Sequence, residues 1–363
     1  MLHCKTVRDV DVKDKNILVR ADFNVPLVED SESGTMRISS DLRIRSSLPT
    51  LKYLIEHHAA KIILVSHLGR PDGKPDPKLS LMLVAEKLAE LLPSVPVNFV
   101  DQVSGPEVEA AVEDLPQGGI LMLENLRFWP QEKSNSLEFV QDIVATTHAE
   151  IFVQDGFAVV HRAHASTDAI TKVIPSVAGL LLEKEVNALD RVLDNPSRPF
   201  VVMIGGIKVD DKQPLIDEFL PHADKILVGG KIAADGYKST SPKVYVAEDF
   251  DEDGEGVKLD IGPVSTAKFV REIEQAQTVL WNGCLGKVED PTYATSSTIL
   301  AKVIGEKSAL TSVICGGDTS GFVEKLRETD SGLHYTLVST GGGAALEYLA
   351  GKTLPGIDGL ENL

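Results

Sequence analysis

The sequence predicts an α/β protein made of two doubly wound, Rossmann-like parallel-sheet domains joined by a hinge helix. Three observations lead there. Short β-branched runs alternate with amphipathic segments along the chain, the pattern of parallel strands covered by helices on both faces. At 363 residues the chain exceeds one ordinary domain and suits two. Polar or glycine-rich clusters recur just after the strands, where ligands bind in open α/β sheets.

In the first half the predicted strands are Ile17–Arg20, Ile62–Ser66, Val97–Val100, Ile120–Leu123 and Ile151–Gln154. In the second half they are Phe200–Ile204, Ile226–Val228, Val244–Ala247, Thr278–Trp281, Ser312–Ile314 and Tyr335–Val338. Helical spacing predicts Leu48–His58, Leu81–Leu91, Leu137–Thr147, Ser265–Gln275 and Thr319–Arg327 between them. The joining helix is read as Ser176–Leu193: Pro175 stops the preceding segment, Ser176 can cap, and Asn195-Pro196 ends the run. Within it Leu182, Val186, Leu189 and Leu193 recur at helical spacing. The domains are accordingly 1–175 and 194–340, with 176–193 linking them. The acidic stretch Glu248–Glu255 reads as a solvated loop. No fixed-period repeat or low-complexity linker interrupts the pattern.

Hydrophobic content of 43% lets each half bury a core. The formal charge of −18 opposes nucleic acid and anionic membranes as partners. An anionic substrate therefore needs local basic clusters. Three cysteines, Cys4, Cys284 and Cys315, stand far apart and point to a reducing compartment. No apolar run is long enough to span a bilayer, so a soluble cytoplasmic protein is expected.

The first half carries a basic set on its strand ends: Asp22-Phe23-Asn24, Arg43, His67-Leu68-Gly69-Arg70, Asn125, Arg127 and His161-Arg162-Ala163-His164, with Asp155 after the fifth strand. For one arginine a surface ion pair is the simpler reading. Several brought to one point suit a small molecule bearing carboxylate and phosphate, because guanidinium pairs both in bidentate fashion. Asp22 and Asn24 can orient a substrate hydroxyl. His161 and His164 lack a third ligand nearby in sequence, so a structural or anion-binding role is preferred to a metal site.

The second half carries glycines and lysines. Gly205-Gly206-Ile207-Lys208 through Lys212 follows a buried run, and mobile lysine charges can follow a moving phosphoryl group. Gly229-Gly230 and Asn282 follow two further strands. Gly316-Gly317-Asp318-Thr319 and Ser339-Thr340-Gly341-Gly342-Gly343 each open a helix, where backbone N–H groups favour an anion. Asp318 is placed to hold Mg²⁺ on a nucleotide. The Walker pattern fails at Leu346, and the same residue defeats the dinucleotide fingerprint, which disfavours a nicotinamide dehydrogenase. An anion-gripping half joined to a phosphate-cradling half suggests phosphoryl transfer across a cleft.

These residues resemble the phosphoglycerate kinase family nearly end to end: Arg20–Leu27, Ser66–Pro71, Leu123–Phe128, Phe152–Thr167, Gly205–Lys212, Leu259–Pro263, Trp281–Glu289, Gly316–Thr319 and Ser339–Glu347. The resemblance implies reversible Mg-dependent transfer between 1,3-bisphosphoglycerate with ADP and 3-phosphoglycerate with ATP, in glycolysis. It implies that Asp22, Asn24, Arg43, His67, Arg70, Arg127 and Arg162 bind phosphoglycerate. Lys208, Lys212, Gly229, Asn282, Glu289, Gly316, Gly317, Asp318 and Thr319 are implied to bind nucleotide. Arg43, Lys208, Gly341 and Gly342 are implied to stabilise the transferring group. It also implies a monomer whose C-terminal segment, 341–363, returns towards the first domain. The resemblance departs most between Asp235 and Lys258, which is far shorter than its family counterpart and lacks a helical segment walling the adenosine pocket. The competing reading is a non-catalytic phosphoglycerate-binding relative that acts as sensor or scaffold.

Overall fold

The computed structural model describes residues 2–30, 34–207 and 212–362. The chain divides into two units, Leu2–Lys184 with Thr353–Leu363, and Glu185–Lys352. In the first unit β1 (Asn16–Arg20), β2 (Lys61–Val65), β3 (Val97–Phe99), β4 (Gly119–Met122), β5 (Ile151–Gln154) and β6 (Ser176–Ala178) form one sheet. Its spatial order is β3-β4-β2-β1-β5-β6, and every pair is parallel. Alternate residues feed two cores. Ile17, Val19, Ile62, Leu64, Ile120 and Met122 face one, against Ile44, Leu51 and Leu88. Leu18, Ile63, Val65, Leu121 and Phe152 face the other, against Val108, Val112, Phe139 and Ile143. Burial on both faces is why these strands read as unbroken apolar runs.

In the second unit β7 (Phe200–Ile204), β8 (Lys225–Val228), β9 (Val244–Val246), β10 (Thr278–Asn282), β11 (Thr311–Cys315) and β12 (Leu337–Val338) follow. Their order is β9-β8-β7-β10-β11-β12, again all parallel. Direction of winding reverses between β7 and β10. In the first unit it reverses between β1 and β5. In doubly wound sheets such reversals open the crevice that ligands use.

Four sequence expectations change. Residues 176–178, expected in the joining helix, are strand β6, paired with Phe152, Val153 and Gln154; the helix runs Leu180–Leu193. Edge pairing wins because Ser176 Oγ donates to the Ile174 carbonyl instead of capping. The cap comes from elsewhere: Asp155 Oδ1 accepts from Leu181 N at 3.0 Å and Thr50 Oγ1 accepts from Leu180 N at 3.0 Å. Gly179 makes room, since a Cβ there would lie 2.2 Å from Asp155 Oδ1. The boundary between the units falls inside this helix, after Lys184.

The helix expected at Leu48–His58 begins earlier, at Leu42, and runs through Pro49 to Glu56. Buried Ile44, Ser47, Thr50, Leu51 and Leu54 hold it on the sheet despite the lost N–H. That extension is what carries Arg43. The acidic stretch is not a loop: Phe250–Glu252 pairs antiparallel with Lys258–Ile261. Asp253 Oδ1 closes its turn by accepting from Glu255 N and Val257 N, each at 2.9 Å. Asp249 caps the helix Pro263–Gln275 by accepting from Val264 N and Ser265 N, each at 2.8 Å. Of the segment 341–363, the helix Gly342–Leu349 stays with the second unit, and only the part from Thr353 joins the first.

Candidate active site

The first unit gathers its basic residues at the carboxyl ends of β1, β2 and β4. Arg43, on the first turn of its helix, pairs with Asp22 after β1. Asp22 Oδ1 lies 3.7 Å from His67 Nδ1. The loop after β2 is pinned by two asparagines. Asn24 Oδ1 accepts from Gly69 N at 2.8 Å, while Asn125 accepts from Leu68 N at 3.2 Å and donates to Leu68 O at 2.7 Å. Asn125 Oδ1 also takes Arg127 N at 3.1 Å, and Arg127 Nη1 reaches Gly69 O at 2.8 Å. Arg127 Nε is buried with no acceptor among the described residues.

Electrostatics show how close these cations lie. Burial, then the charges of Arg20, Arg127, Arg43 and Arg162, hold the His67 imidazole well below its ordinary value near 6.5. Burial, then Arg162 and Arg20, lower Arg127 to about 10 against the pull of Glu132. His164 falls to about 4 through burial, Arg127, Arg162 and Arg20. A folded protein keeps such like charges together where an anion neutralises them. Arg70 is exposed at the rim, and its charge also reaches Arg127. Arg162 Nε donates to His161 Nε2 at 3.1 Å, so His161 serves as an acceptor for a site arginine.

Sequence reasoning missed three buried participants. Arg20 ends β1 with 1% exposure, Ser166 is buried, and Glu132 is fully buried on the short helix Pro130–Lys133. Arg20 Nε donates to Ser166 Oγ at 2.9 Å, and Ser166 Oγ donates to Glu132 Oε1 at 2.7 Å. An arginine closing a wholly apolar strand was the one available signal.

In the second unit the loops after β7, β8 and β10 interlock. Gly206 N donates to Cys284 O at 2.7 Å, Gly205 N to Asn282 O at 2.9 Å, and Gly229 N to Ile204 O at 2.8 Å. A Cβ on Gly205 would stand 2.4 Å from Cys284 O, and one on Gly283 would stand 2.2 Å from Gly205 O. Only glycine permits that approach. Lys212 is buried, with Nζ donating to Asn282 Oδ1. Asn282 Nδ2 is buried without an acceptor among the described residues. Thr319 Oγ1 accepts from Gly283 N at 3.1 Å, tying the start of the helix Gly317–Thr329 to the same loops.

Two helix N-termini meet there. A Cβ on Gly342 would lie 3.7 Å from Gly317 N. Gly341 N is held by Ser339 Oγ at 3.0 Å, and Thr340 donates through both N and Oγ1 to Glu185 Oε1, each at 2.8 Å. Paired helix starts present N–H groups and positive dipole ends to an anion. Asp318 and Glu289 are exposed, and both raise the buried Cys284 thiol, which burial chiefly pushes up to about 12. Lys208 lies outside the described residues.

The sequence model described as "Phosphoglycerate kinase" matches residues 7–244 and 234–352. The chain belongs to the phosphoglycerate kinase family. The phosphoglycerate kinase of Coprothermobacter proteolyticus is 40% identical over 396 aligned positions, covering 97% of this chain and 98% of that one. That of Chloroflexus aggregans is 38% identical, covering 99% of each. Among solved structures, phosphoglycerate kinase from Coxiella burnetii matches with TM-score 0.76 and 31% identity over 98% of each chain. The Pyrococcus horikoshii enzyme matches with TM-score 0.84 and 25% identity over 98% of each. The family match breaks into two pieces that overlap over 234–244, at the start of the Asp235–Lys258 stretch expected to be shortened. Here the helix Gly230–Ala234 ends after 5 residues.

Proposed function

We propose that the chain catalyses reversible phosphoryl transfer between 1,3-bisphosphoglycerate and ADP, giving 3-phosphoglycerate and ATP, as a cytoplasmic monomer in glycolysis. The observation that carries this is the cluster around His67, where Arg20 Nη2 lies 3.0 Å from Nδ1, Asp22 at 3.7 Å pairs with Arg43, and Arg127 reaches Gly69 O in the same loop at 2.8 Å; after burial, the charges of Arg127, Arg43 and Arg162 also lower the basicity of the ring. It supports an anion site of high charge on the first unit. The paired helix starts and the orphaned Asn282 amide support a phosphate site on the second. Family membership favours the enzyme over a sensor, since the matches run over nearly the full chain.

In this reading Arg127, Arg162, Arg70, His67 and Asn24 hold the phosphoglycerate carboxylate and phosphate, and Asp22 orients its hydroxyl. Asp22 also aims Arg43 at the charge developing on the transferring group. Lys212, Thr319, Asn282 and the starts at Gly316–Gly317 and Gly341–Gly342 hold the nucleotide phosphates; Gly229 and Glu289 flank the nucleoside. No covalent catalyst is required, because phosphoryl transfer is governed by positioning and charge neutralisation. Asp318, exposed on the first turn of its helix, offers the hard oxygen donor that a nucleotide-borne Mg²⁺ prefers. When bound, Mg²⁺ neutralises phosphate charge. The helix Leu180–Leu193, which carries the chain from one unit into the other, is the hinge element.

A coupled assay with 3-phosphoglycerate and a panel of Mg-nucleoside triphosphates tests the reading. Turnover that Lys208→Ala lowers by about two to three orders of magnitude is expected, as for loss of an oriented transition-state charge. Phosphoglycerate binding in calorimetry without any nucleotide turnover would overturn it in favour of the sensor.

A further inference from the structure

His67 has a ring whose two nitrogens do different work, and the geometry decides which. At Nδ1 the nearest group is Arg20 Nη2, 3.0 Å away. A guanidinium nitrogen has only hydrogens to offer, so Nδ1 must be the acceptor and cannot carry a proton. The competing partner is Asp22 Oδ1, which would favour a protonated Nδ1. It stands 3.7 Å away, outside hydrogen-bond reach, and its carboxylate is paired with Arg43.

The ring's state therefore depends on what prevents Arg20 from turning away. Arg20 is 1% exposed and fixed at three points: Nη1 donates to Ala21 O and lies 3.4 Å from Ser66 Oγ, and Nε donates to Ser166 Oγ at 2.9 Å. Ser166 can accept there only while its own proton points elsewhere. That proton goes to Glu132 Oε1 at 2.7 Å, and Glu132 Oε2 takes Ser166 N at 3.0 Å. Glu132 is fully buried and makes no direct ion pair with Arg20 among the described residues. Its carboxylate thus acts on the guanidinium through the intervening hydroxyl, and its charge supports that of Arg20.

We infer that the buried relay Glu132–Ser166–Arg20 locks His67 as the neutral tautomer protonated on Nε2, so that the ring presents an N–H donor to the bound phosphoglycerate. Glu132 and Ser166 are positioning residues for this purpose. The inference rests on the proposed phosphoglycerate site for its consequence, though not for the tautomer. A ring donor is selective where arginines alone are not. It adds one directed hydrogen bond without adding a charge that must stay uncompensated when the site is empty.

Two-bond nitrogen–proton NMR on the unsubstituted, histidine-labelled protein decides the tautomer. Among nine histidines, the ring assigned to His67 by its loss in His67→Gln is expected to carry its proton on Nε2 and to stay neutral at pH 6. A proton on Nδ1, or an imidazolium at that pH, overturns the inference. In Ser166→Ala and Glu132→Gln the KM for 3-phosphoglycerate should rise about tenfold, as for loss of one oriented hydrogen bond to an anion. The KM for nucleotide should stay within about twofold. Ser166→Thr, which restores the hydroxyl, should recover the parent value. Folded Ser166→Ala protein with both KM values and the His67 tautomer unchanged would overturn the relay. Absence of any phosphoglycerate turnover in the parent would instead sink the proposed function while leaving the NMR result standing.

Discussion

Asp155 shows how one side chain serves fold and stability in opposite ways. It caps the helix that leads from one unit to the other, accepting from Leu181 N at 3.0 Å and from Thr50 Oγ1 at 2.6 Å. Burial nevertheless pushes its carboxyl up to about 6 from an ordinary 3.8, with those hydrogen bonds opposing the shift. The folded state therefore binds this proton more tightly than the unfolded chain. The stability it lends is complete below pH ~4 and is lost as pH rises through ~6, a change of roughly 3 kcal/mol. Asp155→Asn should flatten that dependence, so the difference in unfolding free energy between parent and variant, by urea titration, should shift by about that amount between pH 4 and pH 7. An unchanged difference would show that Asp155 stays ionised throughout. At this scale the sequence marked the right charged residues at strand ends, but not the buried Glu132 and Ser166. Nothing in the local pattern of Pro130–Lys133 says that its one carboxylate, Glu132, faces inward.

Among the elements, the glycine loops of the second unit set the tightest constraint. Gly283 has φ +92°, and an added Cβ would meet Gly205 backbone oxygen at 2.2 Å. Neither strain nor clash can relax into a flexible side chain. Gly283→Ala should cost roughly 2–4 kcal/mol in the second unit and raise the nucleotide KM while sparing that for phosphoglycerate. Gly317 has nothing within 4 Å of its added Cβ and an ordinary φ. Gly317→Ala should accordingly leave unfolding within about 0.5 kcal/mol of the parent. Equal losses for the two would refute the interlocked-loop account. The element-scale corrections have different ranges. Ser176–Ala178 became strand because Phe152–Gln154, distant in sequence, satisfied its backbone, whereas Phe250–Ile261 became a ribbon by pairing its own two arms across the Asp253 turn. Helix Leu42–Glu56 absorbed Pro49 because its buried face was already held by the sheet.

For the molecule as a whole, the C-terminal strap belongs to the first unit. Lys5 N donates to Glu361 O at 2.7 Å, Glu361 N to Ser176 O at 2.9 Å and Gly356 N to Val160 O at 2.8 Å, with Leu354 and Leu360 buried. Deleting 353–363 should lower the calorimetric transition of the first unit by several degrees, since about 2 kcal/mol or more of buried leucine and backbone pairing is lost. The transition of the second unit should not move. A shift confined to the second unit would contradict the assignment of the strap.

The sequence by itself determined the two parallel sheets, most strand limits and the placement of charged and glycine residues on the ligand edge. Those follow from local periodicity and from the rule that buried strands read as continuous apolar runs. Only the tertiary structure decided which cations share a field, which tautomer His67 adopts, and how close one glycine loop comes to another. Such facts depend on distances between residues far apart in the chain. A few tenths of an ångström there separate a hydrogen bond from a gap, and no local pattern carries that information.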